Sequence, residues 1–297
     1  MTDYSIRERS LEPTSARVEH PLIETARMFA GNRAALSGLA MLFIIVVVSL
    51  AGPWLYPTDP FEMVWSPFSP PGTKGFLLGT DYLGRDLLAQ IIHGGRATLA
   101  VGCAAALLSV FIGITFGALS GFYRGWIEET LMRITEFFQV LPTLLFSMVL
   151  VALFGASLAM ITFAIGIVSW TGVARITRAE FLKIRELEYV TAARSSGASN
   201  TNLIFRVILP NSLPPIVVQA ALLIGFAILF EAGLSFLGLS DANVMSWGAI
   251  MGNNRPYILL HGFTIMYPGL AIFLTVLSIS LIGDGLNDAL NPKLRMR

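Results

Sequence analysis

The stretch EYVTAARSSGASNTNLIFRVILPNSLPP, residues 188–215, decides how this 297-residue chain is organised. It is polar and lies between two long apolar runs, so we expect a loop or short helix held at a membrane surface. Ala192, Ala193 and Gly197 leave a helix surface without bulk, which another backbone or a partner's groove could approach closely. Gly197 suits the end of that helix, because glycine adopts the left-handed conformation freely.

The same stretch ends in three prolines, Pro210, Pro214 and Pro215. Proline lacks the backbone N–H and disfavours helical geometry in the residue before it. We therefore expect a corner before the next apolar run. The alternative to a functional surface is an ordinary cytoplasmic connector with turn residues, and the spacing alone leaves both open.

The composition predicts a polytopic membrane protein. Hydrophobic residues make up 55% of the chain and charged residues 13%, and the mean hydropathy is +0.70, which is too apolar for a soluble domain of this length. The net charge of +1 says nothing about nucleic acid, and the sequence has no basic patch with interleaved aromatic residues that would indicate it. Cys103 is the single cysteine, so no disulfide forms within the chain.

Six apolar runs are long enough to be transmembrane helices. They cover residues 34–52, 97–123, 131–154, 158–174, 215–239 and 263–283. Pro53 is expected to end the first of them. The fold class is therefore all-α. The predicted division is a cytoplasmic N-terminal segment (1–33), a first transmembrane helix (34–56), an external loop (57–94), a core of five transmembrane helices (95–287) and a cytoplasmic tail (288–297), with residues 240–262 as a further loop.

Small residues recur at every fourth position of the second run, at Ser109, Gly113, Gly117 and Gly121. This spacing puts them on one helix face, where transmembrane helices can pack backbone to backbone. We interpret the stripe as a helix-packing surface rather than a site for solute.

The distribution of Lys and Arg predicts the orientation. With a cytoplasmic N-terminus, 16 of the 20 lie inside and four outside, as the positive-inside rule requires. Both termini and residues 188–215 are then cytoplasmic.

Carboxylates in or beside the spans are candidates for function, because a charge is costly in hydrocarbon. Glu231 is expected to line a translocation pathway or to contact a second subunit, and Glu136 and Gln139 are weaker candidates for the same role. Glu136 and Asp284 could instead reach headgroup water. The three histidines are too scattered to form a metal site. No phosphate-binding loop of the form G-x4-GK[ST] occurs, so any ATP must bind to another polypeptide.

Residues 188–210 resemble the EAA loop of ABC-transporter permeases, whose pattern is EAA-x3-G-x9-I-x-LP. Thr191 stands where the family has Glu, and Val207 stands where it has Ile. Residues 78–102, LGTDYLGRDLLAQIIHGGRATLAVG, resemble the LGTD-x2-GRD signature of the peptide and nickel permease branch. The tail GDGLNDALNPKL is similar to the family's GDGLRDALDPKL.

This resemblance implies the type I ABC importer permease fold, with six transmembrane helices and a cytoplasmic coupling helix in a bacterial or archaeal inner membrane. The implied partners are a second permease in a heterodimeric pore, two ATPases that hold ATP and Mg²⁺, an external solute-binding protein and the lipid bilayer. No catalytic residue, metal or cofactor is expected on this chain. The residues assigned to ATPase coupling are Glu188, Tyr189, Thr191, Ala192, Ala193, Arg194, Gly197, Ala198, Leu209 and Pro210.

Di- or oligopeptides are the expected cargo, and nickel or a metallophore is an alternative within the same branch. An ion-coupled secondary transporter that uses Glu136, Glu231 or Asp284 is a rival of a different class. Inverted repeats with broken helices would favour that rival, and we find no convincing repeat between residues 34–155 and 158–285.

Overall fold

The computed structural model describes residues 21–290. Residues 1–20 and 291–297, which contain much of the predicted N-terminal segment and tail, lie outside the described residues. Within 21–290 the chain is helical, with isolated β-bridges and no strand. The helices are α1 (Pro21–Gly31), α2 (Arg33–Leu55), α3 (Leu87–Tyr123), α4 (Gly125–Val140), α5 (Thr143–Phe154), α6 (Leu158–Arg185), α7 (Glu188–Ser195), α8 (Asn200–Asn202), α9 (Leu209–Phe236), α10 (Trp247–Asn254) and α11 (Phe263–Leu290). A π-helical segment (Leu203–Ile208) joins α8 to α9, and a 3-10 turn (Arg255–Tyr257) follows α10.

Five helices in the described part of the chain are long and apolar enough to cross a membrane. They are α2, α3, α6, the continuous run Asn200–Phe236, and α11. A sixth span exists if the bent pair of α4 and α5 counts as one. The all-α prediction is confirmed, and the six predicted spans correspond to five continuous helices and one bent pair.

Among the described helices, α3 and α6 share the most extensive contact, and the small-residue stripe lies between them. The Ser109 hydroxyl donates to the Gly166 carbonyl at 2.9 Å. A Cβ on Gly117 would lie 2.5 Å from the Ala174 carbonyl oxygen. At the end of the stripe, a Cβ on Gly121 would lie 2.6 Å from the Cβ of Phe181. The four positions therefore bring the two backbones together.

The third predicted span, residues 131–154, is not one straight helix. It is divided into α4 and α5, which are bent by 85°. Leu141 lies at the break with φ −64° and ψ 133°, an extended geometry that the following Pro142 favours. The signal for the break was therefore present in the sequence as Pro142.

The predicted corner at Pro210, Pro214 and Pro215 is wrong, because the chain is helical from Asn200 to Phe236. Residues 203–208 form wider π-helical turns, and the N–H of Leu209 donates to the Ile204 carbonyl five residues earlier. A wider turn moves away the carbonyl that a proline ring would otherwise strike.

Side chains also stabilise this start of α9. Asn211 Nδ2 donates to the Val207 carbonyl at 2.6 Å, and the Ser212 hydroxyl donates to the Leu209 carbonyl at 2.8 Å.

Pro53 does not end α2, which continues to Leu55. Proline at this position leaves the Ser49 carbonyl without its helical N–H donor. Arg96 on α3 takes the place of that donor, because its Nε donates to the Ser49 carbonyl at 3.0 Å and a terminal nitrogen donates to the Leu50 carbonyl at 2.5 Å. The proline is therefore tolerated within the helix.

This pairing predicts a coupling between Pro53 and Arg96. Replacing Arg96→Met should destabilise the protein by about 1 kcal/mol, because a backbone acceptor loses its donor. The same change in a Pro53→Ala background should cost clearly less, since the alanine N–H can supply the hydrogen bond. Thermal melting of the four variants in detergent measures the coupling. Strictly additive effects would contradict it.

The predicted loop boundaries also need correction. The helix α3 begins at Leu87, so the end of the proposed loop 57–94 belongs to the helix and the core begins earlier than residue 95. Asp86 caps this helix by accepting from the Leu88 N–H at 2.9 Å. The loop 240–262 contains α10, which Ser246 caps by accepting from the Ala249 N–H at 3.0 Å. The fourth span continues beyond residue 174 to Arg185.

Candidate coupling site

The predicted coupling segment forms the two-turn helix α7, whose end is closed by Gly197. Gly197 has φ +85°. Its N–H donates to the Arg194 carbonyl at 3.0 Å, and the N–H of Ala198 donates to the Ala193 carbonyl at 3.1 Å. This pair of bonds is a Schellman motif, which requires a left-handed residue at the position of Gly197.

One side of α7 is anchored in the protein and the other is open. Val190 is completely buried, and Ala193 and Ala198 pack partly buried against the same cluster. The exposed coupling residues are Glu188, Tyr189, Thr191, Ala192, Arg194 and Gly197. The sequence-predicted coupling residues thus divide into an outward face and an inward anchor.

The inward anchor connects α7 to three long helices. The buried cluster around Val190 includes Phe122 from α3, Phe181 from α6 and Ile204 from the π-helical segment. Leu209 packs against this cluster half-buried, whereas Pro210 is exposed. A force applied to the open face of α7 would therefore reach α3, α6 and α9 through close-packed side chains.

Basic residues of α6 and of the α3–α4 turn form ion pairs and hydrogen bonds beside the inward anchor of α7. Arg124 pairs with Glu186 at 2.8 Å, and Arg178 pairs with Glu128 on α4. Arg185 donates to the Phe122 carbonyl at the end of α3. These contacts link arginines that the sequence predicts to be cytoplasmic with the end of α3, the start of α4 and the end of α6.

The structure does not bring the three predicted pathway residues together. Glu136 lies on the surface of α4, 64% exposed, and is 3.6 Å from Arg133. Gln139, also exposed on α4, accepts from Arg175 at 3.4 Å. Glu231 belongs to α9. The three residues therefore form no common site.

Glu231 is buried inside the chain, with 1% of its surface exposed, and this does not fit a pathway-lining or subunit-contact role. Its Oε1 accepts from the hydroxyls of Ser235 at 2.8 Å and Ser246 at 2.7 Å. Its Oε2 has no hydrogen-bond partner among the described residues. Because Ser246 caps α10, the carboxyl group joins α9 to that helix.

Replacing Glu231→Ala should destabilise the protein by about 2 kcal/mol, because two buried hydroxyls lose their shared acceptor. Glu231→Gln keeps an oxygen at that place and should melt close to the unmodified protein. Thermal melting in detergent distinguishes the two variants. Equal destabilisation by Gln and Ala would show that these hydrogen bonds are not what joins α9 to α10.

Two buried carboxylates organise the loop between α2 and α3. Asp81 accepts from the N–H groups of Leu83 at 2.8 Å and Arg85 at 2.9 Å, and from Gln90 Nε2 at 2.9 Å. Asp86 accepts from the Tyr56 hydroxyl. This hydrogen bond, together with burial and the negative charge of Asp86, raises the pKa of Tyr56 to about 12. Asp81 and Asp86 are therefore internal supports of the loop.

The loop and α10 are fastened to each other and to α3. The N–H of Tyr82 donates to Asn254 Oδ1 at 3.3 Å. The indole of Trp247 donates to the Ile91 carbonyl at 2.8 Å, and its backbone N–H donates to Thr98 Oγ1 at 3.0 Å. Gln90 and Thr98 of α3 thus have hydrogen-bond partners in the loop and in α10.

The fold is that of a known class of membrane transporter. A chain of the MetNI methionine ABC transporter, solved in inward-facing conformations, superposes with a TM-score of 0.58 at 20% sequence identity, covering 68% of this chain and 96% of its own. The arrangement of long apolar helices around a short connecting helix is thus the type I permease fold of ABC importers.

The model of the family "binding-protein-dependent transport system inner membrane component" matches residues 113–296, and "N-terminal TM domain of oligopeptide transport permease C" matches residues 21–71. The chain belongs to this family of inner-membrane transport permeases. The predicted permease class is confirmed.

Sequence relatives cover nearly the whole chain. The di/tripeptide transport system permease protein DppC of Pseudomonas aeruginosa is 41% identical over 282 residues, which cover 93% of each chain. The oligopeptide transport system permease protein OppC of Haemophilus influenzae is 36% identical, with 99% of each chain covered. The dipeptide permease DppC of Bacillus subtilis is 37% identical over 91% of this chain and 85% of its own.

Proposed function

We propose that this chain is one of two different permease subunits of an ATP-driven importer of di- or oligopeptides. The permease role follows from family membership, and the cargo is inferred from relatives named for di/tripeptide and oligopeptide transport. None of the relatives described above is named for nickel. The coupling role rests on one observation. The helix α7 is exposed on one side, and its other side packs against a buried cluster shared with α3, α6 and α9.

The outward face of α7 docks on a separate ATPase. Closure of two ATPases around ATP and Mg²⁺ would press this face, and the buried cluster would pass the displacement to the long helices. Such a displacement shifts the equilibrium only if the ATPase contacts the two states differently. No bond is made or broken by this chain, and it carries no cofactor of its own.

The orientation that this mechanism needs is the one that the Lys and Arg distribution favours. Both termini and α7 lie on the cytoplasmic side, where an ATPase can reach them. The α2–α3 loop and α10 then lie on the opposite side. There they form the part of this subunit that faces an external peptide-binding protein.

Reconstitution tests the proposal. The chain is purified with its second permease and two ATPases, placed in proteoliposomes and supplied with the peptide-loaded binding protein. We expect peptide accumulation that needs ATP and stops when the ATPase cannot hydrolyse it. Accumulation driven by an ion gradient without ATPase would contradict the proposal and support the secondary-transporter class.

A further inference from the structure

A pocket of about 340 Å³ opens between α5, α6 and α9. Its polar lining consists of Thr143, Ser169, Thr171 and Gln219, and the rest is apolar. Ser169 and Gln219 lie within the apolar runs 158–174 and 215–239, toward the ends that the predicted orientation places nearer the cytoplasm. The pocket is therefore inside the apolar part of the bundle, where polar groups are rare in membrane proteins unless they serve a pathway.

The polar groups of this pocket are available for a ligand. The buried Ser169 hydroxyl has no hydrogen-bond partner among the described residues, although an unpaired polar group is unfavourable in an apolar surrounding. Gly172 is exposed on α6, and the nearest atom of another helix to the position its Cβ would take is Gln219 Nε2, at 3.7 Å. The carboxamide of Gln219 thus reaches across from α9 to an open part of α6.

The lining carries no charge at all. A carboxamide both donates and accepts hydrogen bonds, and hydroxyls do the same. This is the complement of a peptide amide, which presents one N–H and one C=O whatever its side chains are. A charged lining would instead discriminate among cargoes by the charge of their side chains.

The break between α4 and α5 lies directly beside the pocket, because Thr143 is the first residue of α5. Interrupted helices at membrane depth are found where backbone lines a cavity. The volume of about 340 Å³ lies at the lower end of the range of small-molecule pockets, as expected if a second subunit completes the site.

We propose that Gln219, with Thr171 and Ser169, forms this subunit's transient binding site for the backbone amides of peptides during passage. The inference rests on the proposed import function and adds the contacting residues. It replaces Glu231, Glu136 and Gln139 as the pathway residues of this chain. The site takes peptides without regard to side-chain charge, because it offers only neutral hydrogen-bonding groups.

The test uses the complete complex in proteoliposomes with saturating peptide-loaded binding protein. Gln219→Leu should lower the uptake rate about fivefold for acidic, neutral and basic dipeptides alike, as expected for the loss of one hydrogen bond. Thr171→Val should show a smaller loss in the same direction. Thr275→Val is the matched control, since Thr275 is buried on α11 and bonds the Ala271 carbonyl of its own helix.

A charged variant gives a second readout that a purely structural role would not move. Gln219→Arg places a permanent positive charge in the pocket. It should raise the uptake ratio of a glutamate-containing over a lysine-containing dipeptide at least about tenfold.

The inference is overturned if Gln219→Leu and Thr171→Val match the Thr275→Val control, or if Gln219→Arg leaves the ratio unchanged. In either case ATP-dependent uptake by the unmodified complex still supports the proposed function. Failure of the unmodified complex to accumulate peptide would instead contradict the function itself.

Discussion

Replacing Gly197→Val should uncouple ATP hydrolysis from transport, lowering peptide uptake at least about tenfold while the complex stays in the membrane. Gly197 has φ +85°, and a β-branched residue is strained there by about 1 to 2 kcal/mol. Strain of that size displaces the Schellman bonds that close α7. Uptake and peptide-stimulated ATP hydrolysis, measured in the same vesicles, give the ratio of peptides moved to ATP consumed.

The matched control is Gly197→Asn, because asparagine tolerates the left-handed conformation better than other non-glycine residues. No atom lies within 4 Å of the position that a Cβ at Gly197 would take, so crowding within this chain is not a cause of any loss. We expect Asn to retain most of the coupling. If Val and Asn both transport like the unmodified protein, the conformation at Gly197 is irrelevant to coupling.

Replacing Gly117→Val should prevent α3 and α6 from packing and should remove most of the folded protein. The new Cβ would lie 2.5 Å from the Ala174 carbonyl oxygen and 2.5 Å from the Thr177 Cβ. A backbone atom on a long helix cannot move aside locally, so we expect a loss of about 3 kcal/mol or more. The yield of monodisperse protein in detergent and its thermal melting give the result.

Gly233→Ala serves as the control for this prediction. It is also a glycine inside a transmembrane helix, but no atom lies within 4 Å of its Cβ position. Alanine is the better helix former by about 1 kcal/mol, so this variant should melt no lower than the unmodified protein. A Gly117→Val protein that melts like Gly233→Ala would contradict the close packing of α3 on α6.

Much of the fold could be predicted from local chemistry. Apolar runs of membrane length indicated the spans, and the four-residue spacing from Ser109 to Gly121 indicated a packed helix face. Gly197 was expected at a helix end, where the structure has it. Features of this kind depend on one segment of the chain, so the sequence suffices to find them.

The errors arose at prolines, where other features of the structure compensate for the lost helical hydrogen bond. Pro53 remains helical because Arg96, far along the chain, donates to the carbonyl that the proline leaves free. The prolines of α9 are accommodated by π-helical turns that no proline rule indicates. In both places the prediction from proline alone was wrong because it did not include the compensating contact.

Gln219, which we propose as a pathway residue, was not among the candidates for a related reason. Carboxylates were the first candidates, because a charged residue is the most obvious exception to the apolar composition of a span. Glu231 proved to be an internal link between helices. Gln219 is the only amide side chain in the predicted span 215–239, and this was the available signal. Its proximity to Ser169 and Thr171 depends on the packing of α6 on α9, which the sequence does not specify.

Thiol labelling of α7 tests the central claim, which is that α7 faces the cytoplasm and binds the ATPase. Cys103 is the only native cysteine, so Ala192→Cys in a Cys103→Ala background places a single thiol on the open face of α7. We predict that a membrane-impermeant maleimide labels it in inside-out vesicles stripped of ATPase, that bound ATPase protects it, and that intact cells leave it unlabelled. Labelling from outside intact cells, or no protection by the ATPase, would contradict the role of α7 as a cytoplasmic helix that transmits the displacement of the ATPase to the transmembrane helices.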